Sequence, residues 1–187
     1  MPPMPATPRS FTLPRHPATP CAAARTLTAR VAPGPAHGWR LSFTLTGDIG
    51  RLRIPAPAHQ PAAADGLWRR TCFEAFVGDP ESARYHEFNF SPSGEWAAYV
   101  FNAERLRAPD AAPLPLPAPR IACARDADWL RLDVDLSGAA LPATNGGWLL
   151  GLGAVVESAQ GRLSYWALAH PAARPDFHRR DGWMRYP

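Results

Sequence analysis

The chain has 187 residues, 46% apolar and 19% charged, which suits one compact domain and excludes a mostly disordered, collagen-like or fibrous protein. Its 23 prolines and 14 glycines leave little room for long helices, because an interior proline costs a helix about 3 kcal/mol. The 20 basic residues are all arginine, interleave with 16 acids and leave a net charge of +4, so no concentrated phosphate-binding stripe forms and no nucleic-acid partner is expected.

Met1 to about Ala24 is rich in proline and offers only Phe11 and Leu13 to bury. Residues 1–24 therefore read as a disordered or extended tail, and 25–187 as one domain. The N-terminus contains no apolar run of signal-peptide type, and no segment is apolar enough to span a bilayer, so a cytoplasmic location and no membrane partner are expected. Cys21, Cys72 and Cys123 are odd in number and form no CxxC, which points to reduced, idle thiols rather than a disulfide scaffold or zinc site.

Past the tail, short runs of β-branched, aromatic and leucine residues are punctuated by Gly, Pro, Asp and Asn, the pattern of a two-sheet antiparallel β-sandwich. Trp39, Leu41, Phe43 and Leu45 alternate with Arg40, Ser42, Thr44 and Thr46, which predicts a half-buried strand. Cys72 to Val77 is apolar enough to lie deeper. In Tyr85 to Phe101 the turn residues Ser91, Pro92, Ser93 and Gly94 predict a hairpin with a four-residue loop. That register pairs Asn89 with Trp96 and places Tyr85, Glu87 and Asn89 on one face with Trp96, Ala98 and Val100. Asn102 to Leu106 has room for a short helical turn. Residues 108–119 carry five prolines and read as an extended connection between the two halves of the sandwich. Trp129 to Leu136 alternates like the first strand, and Trp148 to Val156 and Leu163 to Ala169 complete the set, with a hairpin across Glu157 to Gly161.

Chemistry concentrates in three segments. Glu87, Asn89 and Trp96 supply a carboxylate, an amide and a ring, the inventory with which a protein holds a sugar. Glu74 lies in an apolar run, where a carboxyl must be paired or reached by a ligand. Trp68, six residues earlier, serves the same ligand only if it sits on a loop folded back, while Arg69 and Arg70 are rival structural partners for Glu74. His170, Asp176 and His178 share one C-terminal loop, at a spacing that fits no zinc pattern. No GxSxG, P-loop, GxGxxG or HExxH occurs, so an enzyme is not the first expectation; Glu74, Glu87 and Glu95 are the carboxyls a glycosidase would draw on.

The blocks LWRRTCFEAFVGDP, YHEFNFSPSGEWAAYVFNAER and LSYWALAHPAARPDFH resemble those of DOMON-like proteins related to family 9 carbohydrate-binding modules, over about Trp39 to Trp183. The resemblance implies a jelly-roll sandwich in a stand-alone bacterial group of unassigned activity, whose wider relatives bind sugars or haem. In the sugar-binding relatives a tryptophan and a glutamate six residues on help hold the ligand, matching Trp68 and Glu74. Where they carry a second tryptophan, this chain has Pro175, Asp176, Phe177 and His178. The reading is a non-catalytic small-ligand module, most simply for carbohydrate, with Trp68, Glu74, Glu87, Asn89, Trp96, His170, Asp176 and His178 as ligand-binding residues. Alternatives are a haem binder using His170, His178 or Met184, a sugar-active enzyme, and a protein-interaction module. No cofactor is required, haem or a structural calcium being the exceptions to test, and the oligomeric state is open.

Overall fold

The computed structural model describes residues 7–109 and 117–187. Among them twelve strands follow in chain order: β1 (Arg9–Thr12), β2 (Ala24–Pro33), β3 (Trp39–Gly47), β4 (Cys72–Gly78), β5 (Tyr85–Phe90), β6 (Trp96–Ala103), β7 (Leu106–Arg107), β8 (Arg120–Arg125), β9 (Trp129–Leu136), β10 (Trp148–Glu157), β11 (Leu163–Ala167) and β12 (Met184–Tyr186). One antiparallel sheet runs β1-β2-β3-β9-β8, and the other runs β11-β10-β4-β5-β6-β7 with β12 also paired to β10. The pair forms a β-sandwich.

The main core lies between the sheets and follows from period-two alternation. From the first sheet come Leu27 and Val31 of β2, Trp39, Leu41, Phe43 and Leu45 of β3, and Leu130, Leu132, Val134 and Leu136 of β9; Phe73, Ala75 and Val77 of β4 and Phe88 and Phe90 of β5 meet them from the second. Trp39 is gripped edge-on by Trp148 and Tyr186, each at 5.2 Å between ring centroids.

The second sheet is apolar on its outer face as well. There Phe76, Tyr85, Tyr99 and Phe101 form a separate cluster, covered by Leu67, Trp68, Phe177 and Trp183. Two glycines of β10 make room for this cover. A Cβ at Gly151 would lie 2.6 Å from Trp183 Nε1, and one at Gly153 3.3 Å from the Phe177 ring. The Trp183 indole N–H in turn donates to the Phe177 carbonyl at 2.8 Å.

Several expectations change. The described part of the expected tail is structured: β1 pairs with β2, and Leu13, His16 and Cys21 are buried. Short alternating segments suffice for an edge strand even among prolines, provided the prolines fall outside the ladder. The β5–β6 hairpin pairs Phe90 with Trp96 and Asn89 with Ala97, one residue away from the expected register. Ser91 N–H donates to the Glu95 carbonyl at 2.9 Å, so the loop proper is Pro92, Ser93 and Gly94, with Gly94 at φ 89°. Three-residue hairpin loops place a glycine in this left-handed conformation. An odd loop length reverses the facing of β6: Tyr99 and Phe101 join Tyr85 and Glu87 outside, and Trp96, Ala98 and Val100 turn inward. Asn102 to Leu106 is not helical but ends β6 and turns at Arg105, φ 57°, into β7. Most of the proline-rich connection, 110–116, lies outside the described residues; its flanks lead from β7 in one sheet to β8 in the other.

Gly151→Ala should force the Trp183 indole off the sheet. A loss of about 1–3 kcal/mol in denaturant unfolding is expected, and an unchanged midpoint would show that the indole yields without cost.

Candidate functional site

The outer face of the second sheet carries a cavity of about 650 Å³, within the range of small-molecule sites. Strand pairing positions its floor. Glu74 of β4 stands opposite Asn89 of β5, and Glu87 of β5 opposite Phe76 on one side and Tyr99 of β6 on the other, so the two glutamates are diagonal neighbours on one face. Val155 and Tyr165 also line the cavity, as do Arg174 to His178.

Trp68 reaches the cavity from a short 3-10 turn, Leu67–Arg69, that follows Gly66 at φ 77°. This turn folds the indole back against Tyr99, edge to face at 5.8 Å. Trp68 and Glu74 therefore line one cavity despite the length of strand that six extended residues would span.

Neither glutamate is neutralised by the arginines beside it in sequence. Arg70 pairs with Glu157 at 3.1 Å, as does Arg53 at 2.9 Å, and Arg69 lies near the Trp68 ring. Glu74 is 3% exposed, and its Oε1 has no hydrogen-bond partner. Burial, reinforced by the neighbouring Glu87, drives its pKa well above the ordinary value of 4.5. Burial thus favours the neutral acid form of Glu74, which can donate as well as accept a hydrogen bond. Glu87 accepts from Asn89 Nδ2 at 2.6 Å; burial raises its pKa to about 7, partly opposed by the Asn89 bond and by Arg107 and Arg105. Asn89 is itself fully buried beneath the cavity, and its Oδ1 accepts a weak bond from the Cys72 thiol at 3.6 Å.

His178 is held by its neighbours. The Arg105 backbone N–H donates to the Tyr85 hydroxyl at 3.2 Å, and that hydroxyl is hydrogen-bonded to His178 Nδ1 at 2.7 Å. The other ring nitrogen, Nε2, faces Glu87 Oε2 at 3.7 Å. Burial, with the charge of Arg105, lowers the His178 pKa to about 4. Asp176 fixes the loop: it takes a two-pronged ion pair from Arg105 at 2.8 and 3.2 Å and accepts the His178 backbone N–H at 3.0 Å.

The structure thus gathers Trp68, Glu74, Glu87, Asp176 and His178 at one cavity, with Asn89 supporting it from below. Two candidates lie elsewhere. Trp96 faces inward and packs against the main core, the consequence of the odd loop. His170 Nε2 donates to the Pro14 carbonyl at 2.8 Å, and its ring meets His16 edge-on, away from the cavity lining. Tyr99, Phe101, Tyr165, Phe177, Arg105, Arg107 and Arg174 were not legible as site residues; Gly94 was the signal that would have placed Tyr99 and Phe101 on the correct face. Among the described residues no cluster of three His, Cys, Asp or Glu could hold a metal ion.

No family model matches the chain, and no curated protein matches it. Among solved structures the chain is similar to a protein from Bacteroides uniformis ATCC 8492 described as a "putative carbohydrate-binding protein". The two share a fold at a TM-score of 0.60, over 94% of this chain and 84% of the other, with 16% of residues identical.

The buried acids make stability depend on pH. Folded Glu74 and Glu87 hold protons that the unfolded chain releases near 4.5, so their contribution is complete below that pH and is lost as pH rises through the folded values, about 7 for Glu87. His178 acts oppositely: its contribution is present above 6.5 and is lost as pH falls through about 4. Between 4.5 and 6.5 Glu87 and His178 act in opposite directions, and the burial-lowered His86 and His170 act with His178. From pH 5 to 8 the unfolding free energy of Glu74→Gln should fall less, or rise more, than that of the parent, measured by denaturant titrations at each pH; identical slopes would mean that Glu74 is ionised throughout.

Proposed function

We propose that the chain is a non-catalytic saccharide-binding module of the DOMON-like, family 9 carbohydrate-binding type. Trp68 provides a stacking face, Glu74 and Glu87 bond the hydroxyls, and Phe177 stands in for a second stacking ring. The observation that carries this reading is Glu74, a buried carboxyl with an unpartnered oxygen on the floor of a cavity walled by Trp68, Tyr99, Tyr165 and Phe177. Buried polar groups without partners are rare, and here a hydroxylated ligand would supply one. The aromatic walls suit the apolar face of a pyranose. The fold likeness to a protein described in those terms points the same way.

Glycoside hydrolysis is less well supported. It needs two carboxyls that flank the scissile bond, whereas Glu74 and Glu87 lie side by side beneath the cavity on adjoining strands. As for haem, His178 Nδ1 is engaged by Tyr85 and its Nε2 faces a carboxyl, while His170 lies outside the cavity lining.

Calorimetric titration with mono- and oligosaccharides tests the proposal. Trp68→Ala should weaken sugar binding about tenfold, the effect of losing one stacking platform. Glu74→Met should raise the thermal midpoint, because an apolar side chain of similar length removes a desolvated acid, and should at the same time weaken sugar binding about tenfold. A Glu74→Met protein that binds sugar as tightly as the parent would remove Glu74 from the site.

A further inference from the structure

We propose that the saccharide taken by this cavity is an acidic one, a sugar bearing a carboxylate, with Arg107 and Arg174 receiving the anionic group at the mouth. The inference rests on the sugar-binding reading above. Charge in the cavity is stratified: the acids Glu74 and Glu87 are buried on the floor, and Arg105, Arg107 and Arg174 are exposed at the rim. These arginines are not equivalent. Arg105 is committed to Asp176 through both guanidinium prongs. The Arg107 guanidinium lies over the Tyr99 ring at 4.1 Å, and its salt-bridge partner among the described residues, Asp65, stands 4.0 Å away while also accepting the Tyr99 hydroxyl. Arg174 has no acidic partner among the described residues.

Two under-used guanidinium groups thus border the mouth of a cavity whose floor is lined by buried acids. Stacking on Tyr99 restrains Arg107 before any ligand arrives, which reduces the ordering cost of a carboxylate contact. Planar guanidinium groups bind carboxylates through paired hydrogen bonds. A sugar ring that enters between Trp68 and Phe177 with its hydroxyls on Glu74 therefore leaves its exocyclic substituent at the arginines, where a carboxylate is favoured over a hydroxymethyl group.

The test compares matched pairs in the gluco, galacto and manno series: each neutral monosaccharide against the uronic acid of the same configuration, by calorimetry and thermal shift at one pH and low salt. At least one uronate should bind about tenfold more tightly than its neutral partner, with a preference that shrinks as salt is raised. In R107Q/R174Q, a double substitution of exposed side chains, that uronate should fall to the affinity of the neutral sugar. Equal or tighter binding of the neutral sugars would overturn the acidic-ligand proposal and leave the sugar-binding reading standing. A uronate preference that survives in R107Q/R174Q would overturn the assignment to these arginines. Failure of every sugar, neutral or acidic, at millimolar concentration would overturn both readings.

Discussion

A sheet that is apolar on both faces must be covered twice, and in this molecule the two covers differ in kind. The inner face of the β4–β5–β6 sheet meets a second sheet, matched to it side chain by side chain. Among the described residues the outer face is covered by the chain's own C-terminal segment, which lays Phe177 and Trp183 over Phe76, together with the small turn that carries Trp68. A loop and a turn cannot tile a sheet as another sheet can. The uncovered remainder is the cavity, and the residues that line it are those an ordinary sandwich would have turned to water.

This arrangement explains how two glutamates come to be buried. On a solvated outer face Glu74 and Glu87 would be ordinary polar positions of alternating strands. Under the C-terminal cover they lose solvent without a direct ion pair to an arginine among the described residues, because Arg70 and Arg53 are drawn to Glu157 and Arg105 is drawn to Asp176. What remains is a set of donors and acceptors: an acid whose neutral form burial favours, a carboxyl poised near neutrality, an amide and an imidazole. Such a floor suits the paired hydrogen bonding of hydroxyl groups better than it suits a bare ion.

Much of the fold was legible because alternation is a strong signal. Trp39 to Thr46 and Trp129 to Leu136 announced both their strand character and their buried faces, and the match of β9 to its expected span is residue for residue. Edge strands were not legible: β8 is largely exposed, and β7 has only two residues, so neither carries an apolar period. β1 was hidden by surrounding prolines that happen to lie outside its ladder. In the site, the outward facing of Glu74 and Glu87 was fixed by their own strands, but the partners on β6 depended on whether a loop held three residues or four. A single residue of loop length thus exchanged Trp96 for Tyr99. The contribution of Phe177 and the arginines was beyond local pattern, since it depends on a distant segment lying over glycines 151 and 153.

That glycine-lined bed for the C-terminal segment has a bearing on how the molecule is made. β4 finds its neighbour β10 only after 70 or so intervening residues, and such distant pairings form slowly. Phe177 and Trp183 can settle on Gly153 and Gly151 only once that pairing exists. During synthesis, then, the sandwich core can assemble while the outer face still lies bare, and the rim of the cavity closes last. Until it does, Phe76, Tyr85 and Phe101 present an uncovered apolar sheet face, the kind of surface through which incompletely folded chains associate.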